Sequence, residues 1–469
     1  MTDDGATAGI QSVLDHLAAN RQKILRELVA FASIPSVSTN PAYAGDVQNA
    51  AEWVAAKLRE AGPFDVRTIA TAGNPVVYGE WLGAPGKLTV LVYGHYDVQP
   101  EDPVDKWQSP PFDPRVRDGR LYARGVSDDK GPMLIPIAVA RSFFETVGQL
   151  PINVKCMFEG EEEIGSPSLD VFIRDHTELL AADVVLSADG AMWRIDEPSL
   201  TVSSRGLASL DLTLTGAAKD LHSGRHGGGV ANPLHALARL VASLHDDEGR
   251  VAVPGFYDRV RDLSASEREA IAALPFNEAV YLEQVGAPAT FGEAGYRTLE
   301  RLWTRPTLEV NGMWGGYLGP GRKTVIPSEA HAKITCRLVP DQDPDEIVAL
   351  VSRHLESCVP PGTTLAIRPG RHGARAAHIE ANHYALEAAG AALRAVYGVP
   401  PLIVRMGGTV PISELFQRHM GLDTVFFSFS TADEDYHAPN EFFRIHRLHE
   451  GLEAWARLWT ILGEQPNRG

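Results

Sequence analysis

Cysteine is scarce in this chain: 3 among 469 residues, Cys156, Cys336 and Cys358, with no C-x-x-C pair. An odd number so widely spaced supplies neither a disulfide framework nor a thiolate metal cluster. The apolar runs around Cys156 and Cys336 read as buried, inert thiols. Basic charge is in deficit, with 43 Lys and Arg against 60 Asp and Glu and a net charge of −17. Such a chain has no footprint for a phosphate backbone and no long-range attraction for an anionic surface. Nucleic acid and membrane are therefore not expected as partners. No run of eighteen apolar residues occurs, so no spanning helix is expected. The opening residues carry Asp3 and Asp4 where a signal peptide needs positive charge, and no apolar stretch follows. A reducing cytoplasm is the expected location.

What is present is a globular composition, 44% hydrophobic and 22% charged, over a length that suits two domains. The first two hundred residues alternate between helix and strand patterns. Residues 10–33 place Ile10, Val13, Leu14, Leu17, Ile24, Leu25 and Leu28 at helical spacing, and a second helix is expected over 46–61. Apolar runs at Lys87–Tyr93, Ile152–Phe158 and Asp183–Ser187 read as buried strands, and Ile137–Val147 as a helix between them. This alternation points to an α/β domain on a largely parallel sheet. From Gly206 the pattern changes to strict alternation, then a Gly-rich stretch, a helix near 233–246, a strand at Ala330–Val339 and a helix near 343–357. Periodicity disappears over 370–381. The last ninety residues resume the first pattern, with a strand at Thr424–Ser428 and a closing helix in which Ile445, Leu448, Leu452, Trp455, Trp459 and Leu462 step by three and four. Both ends of the chain thus form one α/β domain, with an α+β domain inserted between them.

The chemistry-bearing residues gather where strands end. His95 and Asp97 follow the first buried strand; a lone histidine there is more often structural, but an Asp two residues on can orient a metal-binding imidazole. Asp128 and Asp129 precede a helix, where acids are ordinarily favoured by the dipole. The run Glu159-Gly160-Glu161-Glu162-Glu163 follows the second strand, at the carboxyl edge where open α/β sheets bind ligands. Carboxylates crowded there repel unless a cation or protons compensate. Asp189 and His437 follow two further strands. Two imidazoles with three or more carboxylates suit zinc, with manganese or cobalt as alternatives. They suffice for two ions sharing a bridging carboxylate, with Glu162 or Glu163 spare as a general base.

The motifs GHYDVQP at 94–100, ARGVSDDKGP at 123–132, EGEEEIGS at 159–166, SADG at 187–190, DLHSGRHGG at 220–228, GPGRKTVIP at 319–327, RLVPDQDP at 337–344, RMGGTVP at 405–411 and HAPNE at 437–441 occur in one order. With them the chain resembles the di-zinc metallopeptidase family that includes aminoacylase-1, carboxypeptidase G, succinyl-diaminopimelate desuccinylase and the cytosolic non-specific and carnosine dipeptidases. The resemblance implies a phosphorylase/hydrolase-like catalytic domain over 1–205 and 382–469, with a mixed central sheet flanked by helices. Residues 206–381 would be an inserted α+β lid that also dimerises. It further implies that His95, Asp128 and Asp189 hold one zinc, and that Asp128, Glu163 and His437 hold the other. Asp128 bridges the two, followed by a cis peptide bond. Glu162 is implied as the general base and Asp97 as the residue orienting His95. His222 would reach the partner subunit's site, while Arg337 takes the substrate carboxylate with Thr324 and Thr409 nearby. Relatives with Asp at the position of Asp189 tend to be dipeptidases and aminopeptidases, those with Glu deacylases and carboxypeptidases. The expected function is hydrolysis of dipeptides or other short peptides by metal-activated water. The rivals are an N-acyl-amino-acid amidohydrolase and a non-catalytic dimeric scaffold.

Overall fold

The computed structural model describes residues 3–370 and 373–465, and side chains from residue 9 onward. The chain divides into two compact units. One comprises the chain up to Val202, Ile379–Val404 and the chain from Leu415 onward; the other comprises Ser203–His378 and Arg405–Glu414. The sequence reading places the crossings at 205/206 and 381/382, and it keeps Arg405–Glu414 with the terminal parts. The hydrogen bonds of that segment explain the difference: Met406 N donates to Ser203 O and Arg205 N to Gly408 O. Membership of a loop follows its backbone partners, which have no periodic signature.

The first unit is built on a six-stranded sheet in the order Asp65–Ile69, Val76–Trp81, Asn153–Glu159, Thr89–His95, Val184–Ser187, Thr424–Phe426. The last four strands run parallel, while the first two attach antiparallel at one edge. The sheet is therefore mixed, parallel only where its strands are most apolar. Asn153–Glu159 is buried along its whole length, as expected of a strand covered on both faces. The helix Gly131–Thr146 is almost entirely buried, with Pro132 in its first turn, where a missing N–H leaves no bond unmade. The closing helix Ile445–Glu464 buries Leu448, Leu452, Trp455, Trp459 and Leu462, the stripe read from its periodicity. The helix expected over 10–33 is two helices, Asp3–Ala19 and Arg21–Ala32. Asn20 breaks it, turning its side-chain amide back onto His16 O at 2.9 Å.

The second unit carries a four-stranded antiparallel sheet in the order Thr307–Gly315, Glu329–Leu338, Gly206–Thr215, Thr364–Pro369. Ala208, Leu210, Leu212 and Leu214 alternate into a core shared with Leu237 and Leu240 from helix Pro233–Ala242 and with Val351 and Leu355 from helix Pro344–Ser357. The other face keeps the intermediate and exposed residues, among them Leu207 and its cross-strand partner Arg337. Helices Ala265–Ala272, Glu278–Val285 and Thr298–Thr304 escaped the sequence reading. The second buries no residue at all and so shows no apolar stripe.

Candidate metal centre

Register brings the site together. In the sheet His95 lies opposite Glu159, and Tyr93 is flanked by Met157 and Ser187, so the parallel strands end at one edge. The chain leaving each end supplies a ligand candidate: His95 itself, Glu163 after Glu159, Asp189 after Ser187 and His437 beyond Phe426. Asp128 arrives from the turn before helix Gly131–Thr146, and the Asp128–Asp129 peptide bond is cis. Among the described residues two donor triads form, His95 with Asp128 and Asp189, and Asp128 with Glu163 and His437; within each, one ligand atom per residue lies within 4.8 Å of the others.

Asp128 is the common member, and its two oxygens point in different directions. Oδ1 lies 3.0 Å from His95 Nε2 and Oδ2 3.0 Å from His437 Nε2, while His437 Nε2 is also 3.2 Å from Glu163 Oε2. Ligands bound tetrahedrally to zinc at about 2.0–2.1 Å lie roughly 3.3 Å apart, so this spacing fits a cation on each side of one carboxylate. The imidazole of His95 is buried and its Nδ1 meets Asp97 O at 3.1 Å and Asp97 Oδ1 at 3.4 Å. Donation from Nδ1 leaves Nε2 as the lone pair facing the cluster.

Asp97 does more than orient His95. Its Oδ1 accepts the Glu162 amide at 3.2 Å and its Oδ2 the Glu163 amide at 3.1 Å, so one carboxylate aligns the histidine and the acidic loop. The four acids in that run are held differently. Glu159 binds Tyr93 Oη at 2.7 Å and Ser166 Oγ at 2.9 Å, closing the loop at its base. Glu161 accepts the amides of Asn74 and Ser168. Glu163 is held by Gln99, whose side-chain amide donates to Oε2 at 2.7 Å and whose backbone amide donates to Oε1 at 3.2 Å. Glu162 lies outside both triads. Sequence reasoning missed Gln99, although it occupies GHYDVQP; a neutral amide two residues past Asp97 carries no signal of its own.

The electrostatics describe a site short of positive charge. Burial raises the pKa of Glu162 well above the carboxylate range; Asp189, Asp128 and Glu163 push the same way against His95. Burial likewise raises Glu163 and takes Asp189 to about 6. Hydrogen bonds to Asp128 and Glu163 lift His437 to about 10, against its partial burial. Buried carboxylates of this density are neutralised by bound cations or by protons. The donor set, two imidazoles and three carboxylates, fits the borderline divalent ions. His437 itself has φ 64, the left-handed region rarely occupied by a side-chain-bearing residue, which turns its ring into the cluster.

The other four candidates lie in the second unit as two pairs. His222 is exposed; its Nδ1 accepts the Gly224 amide at 3.0 Å and its Nε2 lies 3.4 Å from Thr324 Oγ1. Occupying Nδ1 as an acceptor leaves Nε2–H as the donor of the neutral ring. Arg337 Nη1 donates to Thr409 Oγ1 at 2.9 Å.

A mixed sheet with acids and imidazoles at its carboxyl edge, one carboxylate shared between two triads, offers the paired-cation site that metal-dependent hydrolases use. The chain matches the Peptidase family M20/M25/M40 over residues 91–460. It is 30% identical over 448 residues to the Cys-Gly metallodipeptidase dug1 of Schizosaccharomyces pombe, covering 92% of this chain and 94% of that one. Beta-Ala-His dipeptidase of Homo sapiens is 31% identical over 401 residues, 83% of this chain and 78% of the relative. An M20 family metallo-carboxypeptidase from Sulfolobus solfataricus superposes with a TM-score of 0.81 at 32% identity, covering 94% of this chain and 99% of that one. The chain belongs to peptidase family M20/M25/M40 and is a metallopeptidase.

Proposed function

We propose that this chain hydrolyses dipeptides, with two zinc ions per subunit and manganese or cobalt as alternatives. The observation that carries the reading is the Asp128 carboxylate, one oxygen turned to each imidazole. His95, Asp128 and Asp189 would hold one ion, and Asp128, Glu163 and His437 the other. Two divalent ions held there would supply Lewis-acid polarisation of the scissile carbonyl and a lowered pKa for the attacking water. Glu162 takes the proton released in the attack and delivers it to the leaving amine. Asp97 keeps His95 and the Glu162–Glu163 backbone in register with each other. His222, whose Nε2–H faces Thr324 Oγ1 at 3.4 Å, turns from that hydroxyl to donate to the developing oxyanion. Arg337 takes the free carboxylate of the substrate as a planar fork, steadied by Thr409.

The substrate class rests on Asp189 and on the dipeptidases among the relatives. It is tested by assaying the metal-loaded protein on free dipeptides, C-terminally amidated dipeptides and N-acyl amino acids. Free dipeptides are expected to be cut and the other two spared; preference for N-acyl amino acids would replace the reading. Arg337→Ala is expected to raise KM for free dipeptides at least about 10-fold with metal content unchanged, and Arg337→Lys to rescue little. Equal cleavage of free and amidated dipeptides by the parent would remove the role.

The inserted unit is proposed as a lid and dimerisation domain, and the enzyme as a cytoplasmic homodimer in which the partner subunit's His222 completes each site. Three free cysteines suit a reducing compartment, and among the described residues no helix is long and apolar enough to cross a membrane. Co-refolding inactive His222→Ala with inactive Glu162→Gln is expected to restore activity, because some mixed dimers hold one complete site. Activity no higher than that of the separate variants, despite verified subunit exchange, would confine His222 to its own chain.

A further inference from the structure

The metal ligands Asp128 and His437 come from segments more than three hundred positions apart, yet their relative placement must hold to a fraction of an ångström for two ions to share Asp128. Four hydrogen bonds between those segments converge on the side chain of Glu441, four residues after His437. Its side chain is about 1% exposed. Oε2 accepts Arg124 Nη1 at 2.8 Å and the Gly125 amide at 2.8 Å, and Oε1 accepts the Ser127 amide at 2.9 Å and the Asp128 amide at 3.2 Å. One carboxylate thus binds three backbone amides of the turn that ends in the shared ligand. Gly125 makes that wrapping possible: its φ is 74, and a Cβ there would stand 2.0 Å from Val98 Cγ1. Ser127 is fastened by the same C-terminal segment at its other polar atoms, its Oγ donating to Glu434 Oε2 at 2.7 Å and its carbonyl accepting from Ser430 Oγ at 2.6 Å.

We propose that Glu441 is a positioning residue of the dinuclear centre, fixing the Asp128 carboxylate against His437 so that both ions are held together. The inference rests on the metal assignment above and goes beyond it, since Glu441 touches neither ion. A purely structural alternative is the buried ion pair with Arg124, and the two are separable. Removing Glu441 alone strands a buried guanidinium, which by itself destabilises the fold. Removing Arg124 alone leaves both Glu441 oxygens in place against the three amides. Changing both to glutamine removes the charge imbalance, but the side chain at position 441 then offers one acceptor oxygen where two were used. Its –NH2 must face either the Gly125 amide or those of Ser127 and Asp128, donor against donor.

The experiment compares the parent, Arg124→Gln and the double variant Arg124→Gln/Glu441→Gln, each stripped of metal and titrated with Co2+ alone. Affinity is read by chelator competition and geometry by the visible absorption of the bound ion. Thermal unfolding of the metal-free proteins reports the fold. Arg124→Gln is expected to keep two ions with the parental spectrum. The double variant is expected to lose about 10–100-fold in affinity, the scale for a partner behind a ligand, with an altered spectrum and a melting temperature close to that of Arg124→Gln. Should the double variant not fold, Glu441→Asp serves instead: it keeps the charge, is one methylene shorter, and is expected to lose affinity in the same direction. Parental affinity and spectrum in whichever of these variants folds would overturn the proposal. A parent that binds no Co2+ would overturn the metal assignment itself, and this proposal with it.

Discussion

Replacing Glu162 by glutamine is expected to lower kcat by about 10²–10⁴-fold while both ions and the fold are retained. Glu162 and Glu163 are adjacent acids on one loop, yet the structure treats them differently. Glu163 is gripped by Gln99 and stands 3.2 Å from His437 Nε2, whereas Glu162 belongs to neither donor triad. Its amide is tied to Asp97, which fixes the backbone and leaves the carboxyl available to a reacting proton. Glutamine preserves size and that amide bond but cannot carry the proton between water and leaving group. Metal analysis with steady-state kinetics checks the outcome. Near-parental turnover would assign the base elsewhere, and loss of an ion would make Glu162 a ligand.

The second large effect falls on Asp128. Its removal deletes one donor from each triad at once, so Asp128→Ala is expected to leave less than one tightly held ion per chain and to lower activity by about 10³-fold or more, the several kcal/mol that metal catalysis supplies. Asp128→Asn is the sharper probe, because an amide keeps one oxygen and replaces the other with a donor. It is expected to retain one ion of two. Among the described residues no other acid belongs to both triads, and the adjacent Asp129 is buried and turns Oδ2 to the His95 amide at 3.2 Å. Elemental analysis after gel filtration decides the matter, and two tightly held ions in Asp128→Ala would refute the bridging role.

By itself the sequence determined the α/β character, the inserted sheet and the sheet edge where the acids and imidazoles gather. A seven-residue run such as Ile152–Phe158 is short for a helix and reads as a buried strand, which puts the polar residues directly after it at a strand end. The closing helix was equally legible, since its period of three and four is a local property. The break at Asn20 was not, because one side-chain amide competing with the helix leaves the apolar spacing unchanged. What only the tertiary structure decided is how each acid is used. Glu159, Glu161, Glu162 and Glu163 are chemically identical in the chain; their tasks come from the donors and acceptors that surround them, Tyr93, Asn74, Asp97 and Gln99. Glu441 shows the same limit more strongly, because its partners Gly125, Ser127 and Asp128 lie more than three hundred residues earlier. A carboxylate's role is set by which hydrogen-bond donors reach it in low dielectric, and that is a property of the folded packing rather than of the neighbouring residues.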